Sequence, residues 1–240
     1  MFTKQIIILA NSIKKGHFCI AGREIKEKPN TNNVWQVGKW IRPISEHGEG
    51  EVSKHESEYT DGSQPLVLDV AKIPLKAKGN IPFQPEDFLI DVNSKWEKTD
   101  HLVPDLSKVI EKPRDLWEEP GSKINRVSER YLKSCKSVRS IYLIKPEDLK
   151  FQIWKEHHRS SDTVKKKRRA IFIYNGCRYD LGITDPVIGK KYFDDRFPAL
   201  TEDKLVIQPE NSDQCLIVVS LTPRFRDGNH YKVVATIIEY

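Results

Sequence analysis

The amino-acid sequence predicts a mainly β protein built as two small barrels, and three observations carry that reading. Short runs rich in β-branched and aromatic residues recur along the chain, punctuated by Gly, Pro, Asn and Asp. They fall into two groups of roughly five, and five strands close a small Greek-key barrel. The groups are parted by a stretch broken at Pro104, Pro113 and Pro120, which supports short helices and turns but no long helix. A length of 240 residues suits two domains of ~100–130 residues each.

In the first group, residues 4–10 (KQIIILA) read as a buried strand ending at an Asn11-Ser12 turn. Residues 17–21 supply a hairpin partner that stops at Gly22, with Arg23 beyond it. Residues 34–37 and 39–44 supply a third strand and a fourth, with Pro43 at an edge or bulge because it has no N–H for a ladder. Residues 45–65 are polar and almost free of aliphatic side chains, as a functional or disordered loop is. Strand character resumes at 66–75 and 88–91. The expected organisation is a barrel over 1–100 containing this loop, a helical or irregular linker over 101–139, and a second barrel over 140–240.

The second group comprises 140–144, 150–154, 169–174, 177–183, 214–221 and 230–238. Asn175-Gly176 is the clearest local signal, because both residues tolerate the positive φ that a two-residue hairpin requires. A turn at 226–229 joins the last two strands.

Hydrophobic residues make up 38% of the chain and charged residues 31%, a globular composition with a heavily charged surface. No run approaches the ~20 apolar residues of a membrane helix, and residues 6–10 are too short for a signal-peptide core. Cys19, Cys135, Cys177 and Cys215 are scattered, consistent with free thiols in a reducing cytoplasm. The first hundred residues carry 14 Lys and Arg against 14 Asp and Glu, so the net charge of +6 lies entirely in 101–240. A basic half suits an anionic partner.

The sharpest basic feature is Lys165, Lys166, Lys167, Arg168 and Arg169, placed just before the strand 170–174. Lys155, Arg159 and Arg178 lie nearby, and Trp154 and Tyr174 offer rings. Cations to hold phosphates, beside rings on which bases stack, make a sequence-tolerant groove for single-stranded DNA or RNA. The competing reading is a solvated loop followed by core aromatics. At the other end, Asn11, Ser12, Arg23 and Arg42 fall at expected strand ends and suggest an anion or ligand site on one barrel rim, with an Arg23–Glu24 surface and Arg42 in a structural ion pair as the alternative.

Catalytic signals are poor. The chain has no Walker-type phosphate loop, no Gly-x-Ser-x-Gly and no deaminase pattern. Glu46, His47, Glu49, Glu51, His55, Glu56, Glu58 and Asp61 lack metal-ligand spacing, and His157 and His158 with Cys177 make at most half a zinc site. No catalytic residue, metal or cofactor is therefore assigned.

Residues 10–12, 21–24 and 40–45 (WIRPIS), then 179–186 (YDLGITDP), 219–222 and 231–237, together resemble the prokaryotic dual OB-fold domain family. The resemblance spans nearly the whole chain, though the run 165–169 matches none of its motifs. It implies two OB-like barrels and a nucleic-acid-sensing or -binding role, often beside defence or nucleic-acid-modification systems. The expectation is thus a non-enzymatic sensor or adaptor acting with an effector enzyme. The alternatives are a protein-interaction scaffold, and a nucleotide-binding enzyme using Arg23, Glu24, Arg42 and the loop 46–61.

Overall fold

Thirteen residues from Phe2 to Lys14 form one strand, β1, because the apolar run 6–10 is long enough to cross a barrel and its polar continuation still finds a partner. The computed structural model describes residues 1–27, 35–47, 49–99, 105–136, 138–157, 164–200 and 203–240. These divide into two compact units, Met1–Glu111 with Cys135–Leu143, and Lys112–Ser134 with Ile144–Tyr240. The segment between the two strand groups is thus shared: 112–134 pack with the second barrel and 135–143 with the first.

In the first unit β1 pairs with β2 (His17–Glu27), β2 with β3 (Trp35–Ile44), and β3 in parallel with β5 (Asp87–Ile90). Strand β5 pairs with β4 (Val70–Lys78), which returns to β1 from Phe2↔Leu75 to Ile7↔Val70 and closes the barrel. A short β6 (Glu97–Thr99) extends β4. Inside lie Ile6, Ile8, Ile20, Ile41, Ile73, Leu75 and Ile90 with Trp96 and Tyr59, all nearly inaccessible.

Three expectations are corrected here. The first hairpin turns at Lys15 and Gly16, both at positive φ, and not at Asn11-Ser12. Those two residues pair with Ile20 and Cys19 inside the ladder. Arg23 does not follow a strand but sits within β2, and residues 35–44 form one strand, not two. Pro43 does lie where β3 has passed the last β2 partner, at Ile41, and faces only β5. The polar loop is ordered by its own side chains. Ser53 and Glu56 form a capping box on α1 (Lys54–Ser57), while Val52 bridges Phe18 and Tyr59 enters the core.

The second unit repeats the strand order. Strand β9 (Glu147–His157) pairs with β10 (Val164–Tyr174), β10 with β11 (Cys177–Ile183), β11 in parallel with β14 (Asn229–Glu239), and β14 with β13 (Cys215–Leu221). Two short additions flank this path: β7 (Arg126–Ser128) beside β14, and β12 (Leu205–Ile207) beside β9. The last described strand, β8 (Ile141–Ile144), falls at the boundary between the units. After β7 comes the six-residue α2 (Glu129–Ser134). The segment between β11 and β13 begins with α3 (Pro186–Ile188), capped by Asp185.

The Asn175-Gly176 hairpin forms as expected, with φ of 48° and 76°. The Asn175 side chain also donates to the Pro113 and Arg114 carbonyls at 3.1 and 3.0 Å, tying the segment after 112 to the barrel.

Two glycines generate the prediction. At Gly176 nothing lies within 4 Å of an added Cβ, so only backbone strain opposes a side chain. At Gly22 an added Cβ would lie 2.1 Å from the Ile7 carbonyl oxygen, which no rotamer relieves. In urea titrations, Gly176→Val should cost about 1 kcal/mol or somewhat more. Gly22→Ala should cost about 1–3 kcal/mol through displaced β1–β2 pairing. A Gly22→Ala protein as stable as its parent would contradict this packing.

Candidate functional site

Strand alternation divides the basic run by face. Direct partners on β9 and β10 share a side, and Ala170↔Phe151 and Phe172↔Tyr179 mark the buried one. Arg168, opposite Ile153 and half-buried, lies on that same side, and exposed Lys166 lies beyond it. Lys166 lies 5.1 Å from the Phe197 ring centroid, and Arg168 lies 5.3 Å from it with a 2.5 Å ion pair to Asp194. These two cations therefore cap the core of the second unit. Lys155, opposite Lys166, donates to the Pro198 carbonyl at 3.1 Å.

Lys165, Lys167 and Arg169 project from the opposite, outer face. Trp154 stands directly across from Lys167, half-buried, with the Lys204 ammonium 4.9 Å from its ring. Arg178, across from Ile173, shares this face, and Lys150 stands opposite Ile171. Three of the cations already have acids: Lys167 with Glu156 at 2.8 Å, Arg169 with Asp180 at 2.6 Å, and Lys150 with Asp148 at 2.8 Å. Among the described residues, exposed Lys165 and Arg178 have no hydrogen-bond or ion-pair partner.

The basic run is thus not a loop before a strand but part of β10 itself. Tyr174 is corrected from a stacking ring to a buried anchor, 6% exposed, whose hydroxyl donates to the Pro113 carbonyl at 2.8 Å. Arg159 and His158 lie outside the described residues. Lys150 and Lys204 were missed by sequence reasoning. The signal for Lys150 was its even spacing from Gln152 and Trp154, while Lys204 was signalled only by its position before the short apolar run 205–207.

The four rim residues of the first unit do not converge. Asn11 donates to the Pro65 carbonyl at 2.8 Å, and Ser12 is buried in β1. Arg42 is also internal: it reaches Asp87 at 3.2 Å and the Ser140 hydroxyl at 2.8 Å. Ser140 in turn donates its backbone N–H and its hydroxyl to Glu86. Burial pushes the Asp87 carboxyl up to about 7, with Arg42 pulling the other way.

Arg23, by contrast, borders a cavity of about 420 Å³. Lys4, Lys39, Lys78 and Arg139 share its wall with Trp40 and Phe88, against Glu24 and Glu86. Arg23 is held in place by Glu111 at 3.2 Å and by its own Nε donating to the Gly38 carbonyl. Glu111 also accepts from Trp40 at 2.7 Å and pairs with Arg139 at 3.0 Å. The acidic loop is engaged internally as well. Hydrogen bonds from Lys15 and Lys14 hold Glu49 down at about 2, and Glu58 pairs with Lys95. Among the described residues no three His, Cys, Asp or Glu side chains are grouped so as to hold a metal.

The Arg42 site yields a stability prediction. Arg42→Met leaves Asp87 buried without its cation, and breaking a buried pair from one side costs about 3–5 kcal/mol. The lost cation raises the Asp87 pKa further, so the folded variant takes up a proton that the unfolded chain does not. Its stability deficit should therefore shrink as pH falls from 8 to 5. Equal deficits at both pH values in urea melts would refute the buried pair.

The model of the family described as Dual OB-containing domain matches residues 4–237. No curated protein matches the chain. One solved structure, a replication protein A heterotrimer bound to ssDNA, aligns at 8% identity with a TM-score of 0.30. The alignment covers 98% of this chain and 49% of that one, so the chain spans about half of that protein's length.

Proposed function

This chain belongs to the dual OB-containing domain family, and on that premise we propose that it binds single-stranded nucleic acid on the outer face of its second barrel, without turning it over. One observation carries the reading: Trp154 stands opposite Lys167 on a face that also presents Lys165, Arg169 and Arg178. OB barrels offer such faces to oligonucleotides. A ring on which any base stacks, set among cations that hold phosphates, requires no particular sequence.

Lys165 and Ile173, the partner of Arg178, are eight residues apart on β10, roughly 26 Å of strand. That length matches the several nucleotides an OB barrel holds. Lys165 and Arg178 would make the first contacts, since a phosphate must displace an acid to reach Lys167 or Arg169. The cavity beside Arg23 is a second, smaller place for an anion, with Lys39 exposed at its edge. In this reading the protein is a sensor or adaptor that presents nucleic acid to an effector enzyme in a defence or modification system. That role rests on the family resemblance and on the lack of any catalytic motif in the sequence.

A second reading, a protein-docking scaffold, is favoured by the acids that already neutralise Lys167 and Arg169. Salt separates the two. Each phosphate contact contributes ~0.7 to the slope of log K against log salt for single strands. Lys165→Ala with Arg178→Ala should weaken binding of an oligothymidylate and reduce that slope by about 1.4. Lys166→Ala, which removes an exposed cation from the opposite side of β10, should leave the slope unchanged. A double variant with the parental slope in filter-binding titrations would defeat the assignment to this face.

A further inference from the structure

Lys232 is a lysine in the wrong surroundings. It lies on β14 with 2% of its surface exposed, and its backbone N–H donates to the Asn125 carbonyl at 2.9 Å. Lysine is almost never this buried unless paired. Among the described residues its ammonium has no hydrogen-bond or ion-pair partner; it only approaches the face of Tyr179, 5.8 Å from the ring centroid. The side chain borders a cavity of about 290 Å³ whose other walls are Glu118, Glu119, Pro120, Ser122, Lys123 and Ile124. All of this lies within the second unit.

The nearby acids are already engaged. Glu119 accepts from the Ser128 backbone at 2.7 Å and from its hydroxyl at 2.6 Å. Glu118 accepts from the Tyr179 hydroxyl and from the Cys177 thiol. The charged and titratable groups facing the amine are therefore Asp115, Glu118, Glu119 and Lys123 from the segment before β7, and Cys177 and Tyr179 from β11. Burial dominates over these acids and pulls the Lys232 pKa down to about 8.

We propose that Lys232 is a nucleophilic amine that takes a small, uncharged carbonyl compound as a Schiff base in this cavity. The neutral Nζ attacks the carbonyl carbon, and one of its two protons passes to the carbonyl oxygen to give a carbinolamine. A second proton, the one the ammonium gave up to water, converts that hydroxyl to a leaving water as the C–O bond breaks, and the nitrogen lone pair forms the C=N bond of an imine that keeps the remaining N–H proton and the positive charge. No oxidant or reductant is needed. The charges select the partner class. Glu118 and Glu119 disfavour anionic donors, and a protonated imine keeps the positive charge that those acids surround, whereas acylation would remove it. The volume is about that of ten waters in the liquid, enough for an aldehyde of several heavy atoms.

The test uses the intact chain and does not depend on the nucleic-acid reading. The protein is treated at pH 7.5 with limiting glycolaldehyde and sodium cyanoborohydride, which reduces the imine and fixes it, and modified lysines are located by peptide mass mapping. At that pH about a quarter of Lys232 is neutral, against about one in a thousand for a lysine at its ordinary value. Lys232 should therefore be labelled at least tenfold faster than exposed Lys54 and Lys136, with a pH midpoint near 8. Pyridoxal phosphate, an anionic aldehyde, should show no such preference. The proposal fails if Lys232 is labelled no faster than those two, or only after unfolding. It fails equally if pyridoxal phosphate labels it preferentially, because the charge selection would then be wrong.

Discussion

Each barrel depends on one parallel joint in an otherwise antiparallel ladder. The third and fifth strands must run side by side in the same direction, which no hairpin achieves, so the intervening chain has to leave the sheet and return. In the first unit the joint is β3–β5 and the excursion is residues 45–69; in the second it is β11–β14 and residues 184–214. Both joints place a buried aspartate beside the parallel pair. Asp87 on β5 meets Arg42 on β3. Asp185, just past β11, accepts from the Val187, Ile188 and Ile237 backbones, so it fixes the start of the excursion to β14 itself. A carboxylate is costly to bury, and both sites offset that cost with donors drawn from the strands to be joined.

Those closures account for where the remaining polar groups go. Once Arg42 turns inward it can hold Ser140, and Ser140 holds Glu86, which brings residues 138–143 onto the first barrel. Glu111 completes that attachment by exchanging hydrogen bonds with Leu143 while it orients Arg23 and Trp40. The cavity wall beside Arg23 is thus a consequence of the way the barrel is closed. In the second unit the excursion delivers Phe193 and Phe197 to the end of the buried row, where Lys166 and Arg168 cover them. That engagement leaves the outer face to the other members of the run.

The same five-residue sequence therefore has two physical roles, assigned by the parity of each position. Lys166 and Arg168 shield ring faces, a cation–π arrangement that also lets their aliphatic stems pack. Lys165, Lys167 and Arg169 point to the opposite side, where Glu156 and Asp180 moderate two of them. An anion could reach Lys167 or Arg169 only by displacing the acid each already holds.

The sequence by itself determined the β class, the two strand groups and the Asn175-Gly176 hairpin, because these rest on local alternation and on the φ tolerance of two residues. Cys177–Ile183 was legible for the same reason. The first hairpin was misplaced because Asn11 and Ser12 look like turn residues, yet the ladder to Ile20 and Cys19 overrides that preference. The polar loop concealed its structure because, among its described residues, Val52 and Tyr59 alone join the hydrophobic core cluster, too few to make a pattern. Which arginine faces a cavity and which is buried was decided only by tertiary structure. Arg23 and Arg42 both lie within strands, and what separates them is the parallel strand that brings Asp87 beside one and the Glu111 carboxylate that holds the other at an open wall. Local sequence carries conformational preference, but burial and charge pairing are set by residues 45 and 88 positions away.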